Sequence, residues 1–352
     1  MPVAYIVDCV RTAGGKRNGS LSKIHPADLG ATVIDAIISR NRLDGKLVDD
    51  VILGCVSQVG AQSNNIARNA VLSSKLPISV PGTTVDRQCG SSQQALQFGA
   101  QAVMSGLQDI VICGGVESMS QVPIGGNVSA GLQADMGGPL GATIKERYPD
   151  VADEPSFSQF LGAELVAKEF KCSREECDKF SSQSHARAAA AIRDDKFRSE
   201  IIPVRGINPK TGEPVNVVAD EGVREGTTPQ RLSKLQPLSP EGIHTAGSAS
   251  QITDGASAVL IMNEAGLKKT GLKPRARIVT SVVVGDDPLI MLRAPIPAVG
   301  AALKKAGLKV EDIDLFEINE AFAAVPLAVH KALNIPLEKV SVVCRDMSRY
   351  HQ

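Results

Sequence analysis

The sequence contains no tryptophan, and aromatic residues make up only 3% of its 352 positions. A core without large rings must be filled by alanine, valine, isoleucine and leucine, which suit closely packed helices and buried strands. Net charge is missing too: 38 lysines and arginines face 38 aspartates and glutamates. That balance gives no electrostatic reason to expect nucleic acid or an anionic membrane as a partner. No apolar run approaches the roughly 18 residues of a membrane span. The first ten residues carry neither a signal-peptide nor a transit pattern. Arg349-Tyr350-His351-Gln352 is not a peroxisomal tripeptide, so the expected location is cytoplasmic. The content of 43% hydrophobic and 22% charged residues argues against disorder.

What is present begins with the length, which allows two domains at roughly 100–200 residues each. Seven cysteines occur, at 9, 55, 89, 113, 172, 177 and 344. An odd number without any Cys-x-x-Cys argues against a zinc ribbon or a redox pair, and no metal site is expected. Cys9, Cys55 and Cys113 lie in apolar, strand-like runs and read as small buried hydrophobes.

The first third alternates strands (4–10, 51–53, 83–87, 109–113) with helices (28–39, 66–72, 91–104). Gly54 closes the second strand and Gly114-Gly115 the fourth. This is the pattern of a layered α/β domain. Residues 118–245 change character, with paired glycines, proline-containing loops and one strongly helical stretch, Arg174–Arg193; they read as a long insertion. The last part returns to α/β: strands at 276–284 and 313–318, helices at 297–306 and 320–333, and a further strand from 340. The helix at 28–39 with Lys46-Leu47-Val48-Asp49-Asp50-Val51-Ile52-Leu53 has a faint echo in the helix at 297–306 with Lys309-Val310-Glu311-Asp312-Ile313-Asp314-Leu315-Phe316. Either two αβ units are alike by chance or the fold is duplicated.

The most informative segment is Val85-Asp86-Arg87-Gln88-Cys89-Gly90-Ser91-Ser92. A strand ends, a cysteine sits at a tight Gly/Ser turn, and a helix begins. Unpaired N–H groups and the positive end of the helix dipole favour a thiolate there. The same donors suit a developing oxyanion. On these residues alone Cys89 is either a reactive thiol or a buried thiol beside an ordinary helix cap.

This segment resembles the nucleophile region of the thiolase family. Val10-Arg11-Thr12, Gly114-Gly115-Val116-Glu117-Ser118-Met119-Ser120, Thr245-Ala246-Gly247-Ser248-Ala249-Ser250 with Asp254-Gly255-Ala256, and Asn319-Glu320-Ala321-Phe322-Ala323 are similar to further family motifs in family order. Together they span residues 1 to about 343. The resemblance implies two similar layered α/β halves with an inserted loop domain: residues 1–118 plus 245–268, a loop domain at 119–244, and a second half at 269–352. It also implies acyl transfer to and from coenzyme A, either thiolysis of a 3-oxoacyl-CoA or condensation of two acyl-CoA molecules. Cys89 would carry the acyl group as a thioester. Asn319 would hold a water at the enolate oxygen, although by itself it reads as the cap of the helix at 320–333. Ser250 would contact the pantetheine of CoA, although by itself it is a turn residue. Acyl-CoA and CoA are then substrates rather than resident cofactors, and a homodimer or homotetramer is expected.

The sequence also departs from the family. The Gly-His-Pro motif, whose histidine activates the nucleophile, and a later Cys-x-Gly do not occur; the chain reads Val343-Cys344-Arg345-Asp346-Met347-Ser348-Arg349-Tyr350-His351-Gln352 instead. The expectation is a second half left incomplete, and a chain less stable than its relatives or covered by a partner. Counted from Asn319 without gaps, His351 falls near the family histidine and is carried as the candidate for its role, although no glycine shapes a turn around it. Cys344 does not occupy the second-cysteine motif. His25, His185, His244 and His330 have no motif support. A second reading is therefore a catalytically impaired, CoA-binding or oligomerising subunit. Where acetoacetyl-CoA-type relatives carry His-Met-Gly, this chain has Ser158-Gln159-Phe160-Leu161-Gly162, a bulkier apolar pair that should reshape the acyl pocket.

Overall fold

The computed structural model describes residues 2–154 and 156–341. They form two compact units, one of residues 2–137, 197–222 and 252–279, the other of residues 138–196, 223–251 and 280–341.

The first unit holds strands β1 (Tyr5–Arg11), β2 (Gly15–Lys16), β3 (Asp50–Gly54), β4 (Gly82–Val85), β5 (Ile110–Ser118), β6 (Val204–Ile207), β7 (Pro214–Val217), β8 (Thr253–Met262) and β9 (Ala276–Arg277). Its main sheet runs β4-β3-β5-β8-β1-β9, with β2 also on β8, and β6 and β7 form a separate antiparallel hairpin. β4, β3 and β5 are parallel, whereas β8 runs antiparallel to β5 and β1. Helices α1 (Pro26–Asn41), α2 (Ile66–Ser73) and α3 (Ser91–Ser105) flank this sheet. Alternate residues of β5 serve opposite faces. Ile110 and Ile112 join Val33, Ile34, Ile37 and Ile66 of α1 and α2. Val111 and Cys113 join Ala95, Ala100 and Val103 of α3. The central strands are thus apolar on both faces because helices cover both.

The local signals are ordinary ones. α1 starts with Pro26 at its first position and His25 accepting the Ala27 N–H at 3.2 Å. α3 ends where Gly106 takes a left-handed conformation (φ 77°).

The glycine pair at 114–115 departs from expectation. It does not stop the strand; β5 continues through it to Ser118. Gly114 pairs with Leu53 and Ala258, and Gly115 with Gly54 and Ser257. A Cβ on Gly114 would lie 1.9 Å from the Ser257 carbonyl oxygen, so the glycine is there for close approach rather than termination.

In the second unit the main helices are α4 (Gln159–Glu169), α5 (Arg174–Arg193), α6 (Pro295–Ala306) and α7 (Ala324–Leu333). α5 opens with a capping box formed by Ser173 and Glu176. Val166, Ala167, Cys177 and Phe180 pack against Ala324, Leu327 and Ala328, while Phe316, Ile318, Phe322 and Val325 form a neighbouring cluster.

Three expected elements are shorter. The segment from 276 stops pairing after Ile278, whose N–H donates to Ala4 at 2.9 Å; beyond that point the Val3 N–H turns to the Glu264 carboxylate. The segment 313–318 forms one bridge, Phe316 to Val340. Ser341 then leaves the extended region (φ 44°) and its hydroxyl, not its backbone, meets Ile318 O at 3.0 Å. The helix expected from 320 begins at Ala324. The fold class is nonetheless α/β with a mixed sheet.

Candidate active site

In the first unit, the parallel strands β3, β4 and β5 point their carboxyl ends at one edge of the sheet, the edge where open α/β sheets place their chemistry. β4 ends at Val85, and the chain turns into α3 over five residues. The turn is closed from within. Asp86 Oδ1 accepts the Gln88 N–H at 2.7 Å, and Gln88 sits at φ 49°. The Ser91 hydroxyl donates to Gln88 O at 2.6 Å and accepts the Arg87 N–H at 2.9 Å. No side chain caps α3. Cys89 stands two residues before its first turn and is exposed.

Glycines set the depth of this turn. A Cβ on Gly54 would lie 2.3 Å from the Ser91 carbonyl carbon, and one on Gly115 2.8 Å from Ser92 Cβ. One on Gly99 would lie 2.2 Å from Cys113 Sγ. α3 therefore rests directly on the ends of β3 and β5, and its start carries Cys89 to the sheet's edge.

The other described cysteines behave differently. Burial pushes the thiols of Cys55 and Cys113 far up, that of Cys177 up to about 12, and those of Cys9 and Cys172 upward as well. They stay neutral thiols at physiological pH. Cys89 is the one exposed cysteine among the described residues. Cys344 and His351 lie outside them.

Motif residues that the sequence left without a role turn out to be braces. Glu117 accepts from the Val56 N–H (2.8 Å), the Ser57 N–H (3.3 Å) and Gln62 Nε2 (2.8 Å). Asp254 accepts from the Ser120 N–H (2.8 Å) and hydroxyl (2.6 Å). Arg11 pairs with Asp220 and Glu200, each at 2.7 Å, and lies over the Phe197 ring. Their wide separation in sequence hid these pairings.

In the second unit, the loop around Ser250 lies against the loop that carries Asn319. Ala249 and Phe322 form a bridge, the Ser250 N–H donates to Ala321 O at 2.9 Å, and the Ala323 N–H donates to Ser248 O at 2.9 Å. The Ser250 hydroxyl donates to the carbonyls of Glu320 and Ala321, each at 3.0 Å, which leaves its exposed oxygen free to accept. Asn319 is not a helix cap: α7 starts five residues later, with Ala323 at the cap position. It is exposed, and its side chain has no hydrogen bond among the described residues. Behind it, Phe322 packs edge-on against Phe160 (5.6 Å) and beside the His244 ring (5.1 Å). Phe160 and Leu161, the apolar pair noted in the sequence, remain about half exposed at the start of α4.

Beside the Ser250 loop is a cleft of about 270 Å³ whose lining includes His185, Arg224, Arg231, Leu235, Gly247 and Ala249. Arg224 and Arg231 give this lining two guanidinium groups, beside the Glu225 carboxylate, and guanidinium donors suit a phosphate. Among the described residues no group of three His, Cys, Asp or Glu side chains could hold a metal ion, and no helix is long and apolar enough to cross a membrane.

Comparison with known proteins gives the class: the thiolase N-terminal domain matches residues 4–265 and the thiolase C-terminal domain residues 272–348. The chain belongs to the thiolase family and is an acyltransferase of that class. The match to the C-terminal domain corrects the expectation of an incomplete second half, since both family domains are represented.

Among its relatives, a steroid 3-ketoacyl-CoA thiolase of Mycobacterium tuberculosis is 48% identical over 343 residues, covering 97% of this chain and 82% of that protein. A beta-ketoadipyl-CoA thiolase of Acinetobacter baylyi is 41% identical, covering 95% of this chain and 84% of that protein. The crystal structure of the Bacillus anthracis acetyl-CoA acetyltransferase superposes with a TM-score of 0.85 at 32% identity, covering 97% of this chain and 86% of that one.

Proposed function

We propose that this chain cleaves a 3-oxoacyl-CoA with free CoA, or runs the reverse condensation, through an acyl thioester on Cys89. The observation that carries the reading is the contrast among its thiols. The other described cysteines are wholly or partly buried and held neutral, whereas Cys89 is presented at the carboxyl edge of the parallel strands, before an uncapped helix.

The Cys89 thiolate attacks the 3-oxo carbonyl and forms a C–S bond. The bond between C2 and C3 breaks, and its electron pair passes into the acetyl-CoA enolate. A water held by Asn319 donates to the enolate oxygen, and the proton that Cys89 released on becoming a thiolate passes through solvent to C2. The thiolate of free CoA then attacks the acyl-cysteine and releases Cys89 and a shortened acyl-CoA. Splitting the reaction at a covalent intermediate divides one high barrier into two lower ones. Ser250 accepts a hydrogen bond from the pantetheine, and Arg224 and Arg231 meet the phosphates of CoA.

Names of relatives favour degradation of a substituted 3-oxoacyl-CoA, and Phe160 and Leu161 in place of the family's His-Met step suit an acyl group other than acetoacetyl. We read residues 1–118 with 245–268 as the first half, 119–244 as a loop domain and 269–352 as the second half, and the working form as a homo-oligomer. His351 is the residue to test for the histidine's role.

Intact mass of the chain after incubation with acetoacetyl-CoA or acetyl-CoA tests the nucleophile. An acyl adduct that disappears in Cys89→Ala is expected. A folded sample that forms no adduct sinks the reading and leaves the family membership standing.

A further inference from the structure

Asn319 has to hold a water at one place, yet it lies on backbone that belongs to neither helix nor strand. A residue there is only as well placed as the contacts on either side of it, and here both sides are tied to one helix. Ser184 and Arg187 are three residues apart on α5 and so share a face. Ser184 Oγ donates to Glu320 Oε2 at 2.8 Å, holding the residue after Asn319. Arg187 Nη1 donates to the carbonyls of Val340 (3.1 Å) and Ser341 (3.4 Å). Ser341 in turn donates its hydroxyl to Ile318 O at 3.0 Å, holding the residue before Asn319, and its N–H to Phe316 O at 2.8 Å.

We infer that Ser184 and Arg187 are positioning residues: α5 fixes the Asn319 amide by gripping its neighbours on both sides. The inference rests on the reading of Asn319 as the enolate-water residue. A brace for stability alone would not need an acid. Glu320 is half-buried, and burial pushes its carboxyl above the ordinary value, although the Ser184 hydrogen bond and the Arg187 charge pull it back. A partly desolvated carboxylate is a costly way to gain stability, whereas it is a strong acceptor that fixes the direction of the bond it receives. Neither Ser184 nor Arg187 is among the residues that line the cleft beside Ser250. Their effect is on geometry, where displacement of about 1 Å can cost up to about 100-fold in rate.

The experiment separates two half-reactions of the whole chain. Cys89 acylation by acetyl-CoA, a transfer that forms no enolate, is followed by intact mass, and enolate formation by deuterium uptake into the methyl group of acetyl-CoA in D₂O. Ser184→Ala and Arg187→Leu should lower deuterium uptake about 10-fold while changing acylation by less than about twofold. Glu320→Gln, whose amide oxygen accepts the same bond, should keep most of the uptake that Glu320→Ala loses. The double variant Ser184→Ala with Asn319→Ala should be no slower than Asn319→Ala alone, because a positioning residue has nothing left to position. Additive losses in the double variant, equal losses in both half-reactions, or normal uptake in Ser184→Ala would overturn the inference while leaving Asn319 in its role. No uptake in the unaltered chain, or uptake unaffected by Asn319→Ala, would remove the reading of Asn319 and the inference with it.

Discussion

Cys89 and His244 show how differently one residue type and another respond to surroundings in this chain. The thiol gains its interest from exposure and from the turn beneath it. The imidazole is almost wholly buried; its Nδ1 meets the Ser248 hydroxyl at 3.3 Å and its Nε2 has no hydrogen-bond partner among the described residues. Burial holds the His244 ring below its ordinary value of 6.5, with Glu164 pulling the other way. A depressed value means that the folded form binds fewer protons than the unfolded one. Its stability contribution is present above about pH 6.5 and is lost as pH falls through the folded value. His244→Gln should therefore make the decline of stability below pH 6.5 shallower, by at most about 1.4 kcal/mol per pH unit. Urea unfolding at pH 7, 6 and 5 measures it; identical slopes for the two proteins would mean that the ring titrates alike folded and unfolded. The sequence had given His244 no role, because nothing local announces that a histidine will be buried beside a phenylalanine 78 residues later.

The elements teach a related lesson through their glycines. Gly114-Gly115 reads as punctuation when the chain is scanned alone, since glycine weakens strands. In the sheet the pair lies between β3 and β8, where the neighbouring chains leave no space for a side chain. Gly114→Ala should destabilise the chain by about 3 kcal/mol, the upper end for overpacking against backbone that cannot yield. Denaturant unfolding checks this, and a loss under about 1 kcal/mol would contradict the tight approach of β5 to β8. By contrast α1, α2, α3 and α5 were legible to within two residues at either end. Their apolar spacing and capping residues lie within a few positions of one another. Expected strands at 276–284 and 313–318 failed for the opposite reason. A strand exists only as far as its neighbour accompanies it, and neither neighbour does so for long.

For the whole molecule, the main sheet leaves β4 as an edge strand, with the turn bearing Cys89 directly after it. Exposed edges tend to be covered, which agrees with the homo-oligomer proposed above. Light scattering at micromolar concentration should give a mass of at least twice the 37.0 kDa of one chain. A monomer that retains acylation of Cys89 would count against that assembly while leaving the chemistry intact.

The sequence by itself determined whatever depends on near neighbours: the first unit's alternation of strands and helices, the cysteine placed between a strand and a helix, and the ordered motifs of an acyltransferase family. Tertiary structure alone decided which motif residues face outward and which hold the frame. Glu117, Asp254 and Arg11 became braces because partners far away in sequence arrive with matching donors or charges. Asn319 was left uncommitted because α7 begins too late for it to serve as a cap. Whether a polar side chain is spent on the fold or left for chemistry depends on what the rest of the chain brings within hydrogen-bond reach, and no local pattern encodes that.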